Sequence, residues 1–352
     1  MSAFTQTFLA DFFQSIHRVE QNNWDHLRFQ GDHPRANNFM IDNAVHWMYA
    51  IMRNIDQYEA AFELLEDDYS RALMIKLLEY DILDHHHVKL PLNTPEFWAS
   101  YNSVDEKYLV KKDAVPFGDG FVNLYRVPDM DMQIYGHALT VLTQFILKQY
   151  FFQRGPVIQP APGDVCIDAG ACRGEVSLHF AHAVGPEGKV YGFEFVPANI
   201  DIFKQNLLMN PAYSPLVHLV PYPLWHESGQ EMRFSDRGPA SSIRDGKDAT
   251  GDLVTTTLTI DDFVSGEGVD RVDFIKMDIE GAEVNALAGG QATIKKHLPK
   301  LAICAYHKKD DFYRIPALIR QIDAGYKFYL DHYTIHREET VLYAVHPDSS
   351  RG

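Results

Sequence analysis

The chain has 352 residues, enough for two domains and a sizeable core, and its 46% hydrophobic and 23% charged residues are the balance of an ordinary globular protein. Lys plus Arg total 32 against 48 for Asp plus Glu, a formal net charge of −16, so a phosphate backbone meets repulsion and nucleic acid is set aside as a partner. No apolar run approaches the roughly 18 residues of a membrane span, and the start MSAFTQTFLADFFQ has neither the basic region nor the cleavage site of a secretory leader. The three cysteines, Cys166, Cys172 and Cys304, are an odd number and are expected to stay reduced, which points to a cytoplasmic protein.

Residues 1–153 read as mainly helical. Phe4, Phe8, Phe12 and Ile16 recur at helical spacing, and Ala44 to Leu65 and Tyr69 to Leu83 repeat the pattern. The aromatic first helix and Trp47-Met48-Tyr49 suit an acceptor cap or a dimer surface, but such stripes are ordinarily core, and core is the expectation. His85-His86-His87 cannot all face one ion and reads as a surface or helix-end turn rather than a metal site. From Glu106 to Val127 the pattern changes to short strands around Phe117-Gly-Asp-Gly120, a hairpin turn. A last helix, Ile134 to Phe152, leads to Pro156 and Pro160, where a boundary at 153/154 is expected.

Residues 163–199 organise the rest. Val165 to Ile167 form a short apolar strand ending in Asp168, a glycine turn follows, Glu175 to Ala183 has helical spacing, and a second strand, Lys189 to Phe193, ends in Glu194. Gly170 and Gly174 allow a sharp turn and close approach of a ligand, and the helix start offers unpaired N–H groups. Glu194 stands where a doubly wound sheet places the acid that accepts from a ribose diol. A dinucleotide site needs G-x-G-x-x-G, whereas this turn reads Gly170-Ala171-Cys172-Arg173-Gly174. Asp168 would repel a diphosphate but suits the ammonium of an amino-acid tail. Ribose and amino acid together describe S-adenosylmethionine, with NAD disfavoured.

The remainder alternates strand and helix: a helix over Ala198 to Met209, a strand Leu216 to Pro221, weak strands at Glu231 to Phe234 and Leu253 to Leu258, a short helix at Asp261, then Val272 to Met277, Ala282 to Leu287, Leu301 to Tyr306 and Tyr313 to Ala324. Tyr326 to Leu330 and Thr340 to Val345 are separated only by Asp331 to Glu339, too short for a parallel crossover, so they must run antiparallel.

The blocks DVCIDAGACRGE, KVYGFEFVPANIDIFKQN, TLTIDDF, VDFIKMDIEGAEVNAL and LAICAYHK, in that order and spacing, resemble the FkbM-type methyltransferases, a branch of the class I S-adenosylmethionine-dependent enzymes. The resemblance implies an α/β fold, a seven-stranded Rossmann-like class I methyltransferase sheet with the last strand antiparallel, in a domain over 154–346, with a helical domain before it and a tail at 347–352. It departs from the commonest pattern where Glu194 is followed by Phe195 and Val196 before Pro197, and where Glu175 follows the turn. The cofactor contacts expected are Asp168, Gly170, Ala171, Cys172, Gly174, Glu194 and Phe195. Leu224 or Trp225 is expected to pack the adenine, although a buried tryptophan with no ligand is nearly as ordinary. Ser241 and Ser242 match a serine pair that touches the carboxylate or adenine edge in relatives.

The resemblance also implies O-methylation of a hydroxyl on a sugar or secondary metabolite, a small-molecule acceptor. Strand-end residues are where the chemistry is sought: His307 as general base, with Asp278 or Glu280 orienting the acceptor hydroxyl. Glu283 reads as a stabilising first-turn acid, and His332 and His336 are second choices for the base. Asp278 with Glu280 or His307 has ligands enough for Mg2+ alongside substrate oxygens, but the spacing does not select it and no metal is assigned. The competing reading is a non-catalytic S-adenosylmethionine-fold module that binds a partner through its N-terminal helices. A homo-oligomer is left open.

Overall fold

The computed structural model describes residues 2–20, 23–25, 38–118, 120–234 and 253–349. In chain order the elements are α1 (Ala3–Ile16), α2 (Asn38–Arg53), α3 (Ile55–Leu64), α4 (Asp68–Leu83), α5 (Pro95–Asn102), α6 (Val104–Tyr108), β1 (Leu109–Phe117), β2 (Gly120–Arg126), β3 (Gln133–Gly136) and α7 (Ala138–Thr140), which runs on into a π-helical stretch, Val141–Ile146. Then come β4 (Val165–Ala169), α8 (Glu175–Val184), β5 (Lys189–Phe193), α9 (Pro197–Met209), β6 (Val217–Val220), β7 (Glu231–Phe234), β8 (Leu253–Thr256), α10 (Ile260–Gly266) and β9 (Phe274–Met277). The chain closes with α11 (Glu283–Ala288), α12 (Gln291–His297), β10 (Lys300–Cys304), α13 (Asp311–Ile322), β11 (Lys327–His332) and β12 (Thr340–Val345).

The main sheet has seven strands in the order β11-β12-β10-β9-β4-β5-β6. β10, β9, β4, β5 and β6 run parallel, with Asp168 in register with Gly192 on one side and Lys276 on the other. β4, β9 and β10 are buried on both faces, which is why Cys166, Ile167, Phe274, Ile275 and Leu301 to Cys304 read as apolar runs rather than alternating ones. The last two strands form the expected hairpin, closed by Tyr333 N–H donating to Glu339 O at 3.1 Å, and Ala305 N–H donates to Thr340 O at the start of β12, so β12 runs against its neighbour. The fold is therefore the α/β, class I methyltransferase-like sheet expected.

The chain divides into two compact units. One comprises residues 1–99, 305–317 and 327–342. Its centre is α4, whose Leu73, Met74, Ile75, Leu77, Leu78 and Ile82 are buried, and whose start is capped by Asp67 Oδ1 accepting from Ser70 N–H at 2.6 Å. Phe4 and Phe8 of α1 are buried, Phe4 against the ring of Phe62 at 5.5 Å, whereas Phe13 and Ile16 are exposed, so only the first half of the aromatic stripe is core. The histidine triplet forms the turn that ends α4, after Asp84 in the left-handed region (φ 67). His332 and His336, the second choices for the base, are buried: His332 Nδ1 lies 2.8 Å from Thr340 Oγ1, and burial pushes its pKa down to about 3.

The other unit comprises residues 100–304, 318–326 and 343–352. Two expectations are corrected. The span Ala44 to Leu65 is two helices, interrupted at Asn54, whose side chain donates to Ala50 O at 2.8 Å. The helix expected from Ile134 begins instead as β3: it pairs with β2, and on its other edge Asn206 of α9 and Asn210 at its C-terminal cap accept from Tyr135 and Gln133 N–H at 2.7 and 3.0 Å and donate back to their carbonyls. Side-chain amides from a helix more than seventy residues on thus satisfy a strand edge that hydrophobic periodicity does not reveal.

Candidate cofactor crevice

The crevice is built at the carboxyl ends of β4, β5 and β9. β4 runs through Asp168 into the turn 170–174, where Gly170 and Gly174 have φ of +79° and +81°. A Cβ on Gly170 would lie 1.8 Å from the carbonyl oxygen of Asp278, and one on Gly174 would lie 2.1 Å from the Phe203 ring. Gly170 therefore lets the turn pack directly on the loop after β9, and Gly174 lets α8 begin against α9. Cys172, between them, is half-buried in the left-handed region at φ 49°, and burial pushes its thiol up to about 12. Gly170 and Ala171 N–H both donate to Phe193 O, at 3.1 and 2.9 Å, which ties the turn to the end of β5.

The acids at the two strand tips are held differently. Because β4 and β9 pair in register, Asp168 and Lys276 are neighbours on one face, and Lys276 Nζ lies 2.9 Å from Asp168 Oδ1. Ser177 Oγ donates to Asp168 Oδ2 at 2.6 Å, and Lys276 also donates to Gly170 O at 2.7 Å. Burial works against the charge on Lys276, but Asp168 and Asp278 outweigh it and its pKa is raised. The carboxylate that the sequence offers to an ammonium group thus already has one beside it.

Among the described residues no ion pair of this kind holds Glu194, although it acts electrostatically on Arg173. Its Oε1 accepts from Phe195 and Val196 N–H at 2.8 and 2.7 Å, its Oε2 accepts from Asn199 Nδ2 at 3.2 Å, and Cys172 N–H also bonds to it. Burial, only partly offset by these donors, pushes its pKa up to about 7. Phe195 turns toward an apolar cluster of Val196, Trp225, Met232, Phe234 and Ala282, with Ile279 beside it and the Phe195 and Phe234 rings 4.9 Å apart edge to face. Leu224 and Trp225 are buried, and Trp225 Nε1 is buried with no hydrogen-bond partner among the described residues. Ser241 and Ser242 lie outside the described residues.

After β9, Asp278 is half-buried and Glu280 adopts φ 55° in a tight turn with Gly281. Glu283, fully buried, closes this turn by accepting from Ile279 N–H at 3.0 Å, the structural role read for it. Asp278 Oδ2 accepts from the Tyr150 hydroxyl at 3.1 Å, Gln149 Nε2 donates to that hydroxyl at 3.2 Å, and the Cys304 Sγ is 3.5 Å away. Gln149 Nε2 can only donate, so in its bond to Asp278 the phenol is the donor, and the carboxylate oxygen is a stronger acceptor than the Cys304 sulfur. Tyr150 is held at φ 74°, an unusual backbone for an aromatic residue, and Lys276 Nζ sits 5.4 Å from its ring centroid.

The crevice therefore brings together Asp168, Gly170, Ala171, Cys172, Gly174, Glu194 and Phe195, with Asp278 reached through Gly170. His307 follows β10 in the other unit, its ring 4.1 Å from that of Tyr306. Sequence reasoning missed Lys276, Ser177, Asn199 and Tyr150. A lysine inside the apolar run FIKM was the signal for the first; Tyr150, 128 residues from Asp278, carried none.

A parallel sheet with an antiparallel last strand and acids at adjacent strand tips is a class I methyltransferase-like fold. The family model described as the methyltransferase FkbM domain matches residues 168–328. That segment is similar to the FkbM methyltransferase domain, in keeping with the resemblance of the sequence blocks. The chain is 26% identical to Methyltransferase sdnD of Sordaria araneosa over a stretch covering 42% of this chain and 68% of that protein. The crystal structure of methyltransferase FkbM from Methylobacillus flagellatus KT superposes with a TM-score of 0.55 at 20% identity, covering 85% of this chain and 60% of that one, which supports the fold. The chain thus spans 60% of the length of that solved relative. Among the described residues, no helix is long and apolar enough to cross a membrane.

Proposed function

We propose that the chain is an S-adenosylmethionine-dependent methyltransferase that methylates a hydroxyl on a sugar or secondary metabolite. The observation that carries this reading is Glu194, a buried carboxylate pushed up to about 7 at the tip of β5, beside the left-handed turn of a segment similar to the FkbM methyltransferase domain. A desolvated carboxylate bonded chiefly by backbone N–H groups gains from further donors, and a ribose diol supplies two. The apolar cluster at Phe195 and Trp225 suits an adenine edge, and the Trp225 Nε1 donor suits a ring nitrogen. These residues fit the cofactor.

When bound, S-adenosylmethionine supplies a methyl group already activated on a sulfonium. The chain's own work is to hold the acceptor in line and exclude water. Asp278, kept an acceptor by the Tyr150 hydroxyl and the nearby Lys276 charge, receives the acceptor's O–H. Glu280 is the adjacent acid on the same turn, and His307 is the base proposed to take the proton.

The test is calorimetric binding of S-adenosylmethionine and S-adenosylhomocysteine to the full chain, with NAD as control. Binding of both without NAD supports the reading; no binding of either sinks it. Once a hydroxyl acceptor is found by screening for S-adenosylhomocysteine release, His307→Ala should spare cofactor affinity, lower turnover and remove an ionisation near neutrality from the pH–rate profile. An unchanged profile moves the base to Asp278 or Glu280.

A second reading has its own observation: Val45, Tyr49 and Met52 share one face of α2 and are 63%, 63% and 48% exposed. That stripe favours a partner-binding module through the N-terminal helices. Cofactor binding without turnover on any acceptor would bring it forward.

A further inference from the structure

The glycine turn carries a buried cation that the proposed reaction does not use. Arg173 is 4% exposed. Its Nε donates to Glu175 Oε1 at 2.8 Å, its Nη2 to Thr140 Oγ1 at 3.4 Å, and its guanidinium carbon lies 5.4 Å from the centroid of the half-buried Phe117 ring at the tip of the β1–β2 hairpin. Its backbone oxygen is fixed by Asn206 Nδ2 at 2.8 Å. The remaining nitrogen, Nη1, is buried with no hydrogen-bond partner among the described residues. An unsatisfied guanidinium nitrogen is costly to bury and is matched by a carboxylate oxygen. Burial opposes the charge on Arg173, but Cys172, Glu175 and Glu194 favour it, so the side chain stays ionised.

We infer that Arg173 is the recognition residue for the carboxylate of the cofactor's amino-acid tail, reached as that tail displaces the Phe117 ring. The inference rests on the S-adenosylmethionine reading above and adds to it the group that tells an amino-acid-bearing nucleoside from a plain one. Arg173 and Glu175 form a pair of opposite charges in the turn, and the amino-acid tail is itself a zwitterion, so its two charges find complements there. A neutral thioether nucleoside would leave Nη1 unbonded.

The experiment is calorimetry on the full chain with two probes, S-adenosylhomocysteine and 5′-methylthioadenosine, which share the nucleoside and thioether but differ in the amino acid. The wild type should prefer S-adenosylhomocysteine. At a pH well above the raised Glu194 pKa, where the shared ribose acid is ionised with or without the Arg173 charge, Arg173→Met should weaken it by about 10- to 100-fold, the loss of a charge-assisted hydrogen bond, and leave 5′-methylthioadenosine unchanged. Arg173→Lys should recover part of the loss. If Arg173→Met does not fold, Arg173→Met/Glu175→Gln removes both charges together, leaves no buried carboxylate unpaired, and should show the same selective loss. Equal weakening of both probes, or of neither, overturns the role of Arg173 and leaves the cofactor reading standing. A wild type that binds neither probe overturns both.

Discussion

Two carboxylates end adjacent parallel strands, and they teach opposite lessons. Asp168, at the tip of β4, faces a buried ammonium at 2.9 Å and a serine hydroxyl at 2.6 Å. Glu194, at the tip of β5, is held by backbone N–H groups and one side-chain amide, with its pKa pushed up to about 7. The first is a finished ion pair that fastens β4 to β9; the second is a desolvated acid that still gains from a donor. An acid at a strand tip is a site only when the fold has left it something to bind.

The sharpest break of this contrast is Lys276→Met. It leaves Asp168 buried without its cation, and removing one partner of a buried pair costs about 3–5 kcal/mol. Urea denaturation should show that loss, and Lys276→Met/Asp168→Asn should regain much of it. A single mutant as stable as the wild type would mean that the pair does not hold β4 to β9.

Glu194→Gln should act on the ligand and spare the fold. It keeps the shape and two hydrogen-bonding atoms but loses the charge, so S-adenosylhomocysteine affinity should fall about 10- to 100-fold. The pH dependence separates the acids further. Glu194 has a folded pKa raised from 4.5 to about 7, so between those values the folded chain binds more protons than the unfolded one. Stability from this group is therefore present below pH 4.5 and declines as pH rises towards 7, by on the order of 2 kcal/mol between pH 5 and 7. Glu194→Gln should flatten that limb of the stability curve. A variant with the wild-type slope would show that Glu194 titrates normally.

The contrast was only half legible beforehand. Both acids, both glycines and the order strand, turn, helix, strand are local: Asp168 and Glu194 each end an apolar run, and the hairpin at Phe117 to Gly120 declares itself by its turn residues. What separates the acids is not local. Lys276 reaches Asp168 because β4 and β9 pair in one register, a fact of the sheet rather than of either segment. Tyr150 reaches Asp278 from a stretch whose pattern read as plain helix and whose backbone instead passes through a π-helical turn and left-handed φ at Lys148 and Tyr150. The same non-locality turned Ile134 from helix to strand, since the amides of Asn206 and Asn210 complete β3.

The smallest effects come from removing one neutral donor from each acid. Ser177→Ala takes a single hydrogen bond from Asp168, which keeps its ammonium partner; the cost should be about 1 kcal/mol in urea denaturation, with S-adenosylhomocysteine affinity unchanged. Asn199→Ala takes the side-chain amide from Glu194, which no ion pair holds among the described residues. A donor to the ionised form lowers a carboxylate's pKa, so losing it should raise that of Glu194 further. Ligand binding that requires the carboxylate should then reach its plateau at higher pH in Asn199→Ala than in the wild type, with similar affinity well above neutrality. Calorimetric titrations from about one pH unit below the raised pKa to about two above it read that shift directly. If Ser177→Ala moves the binding curve and Asn199→Ala does not, the roles of the two strand tips are reversed.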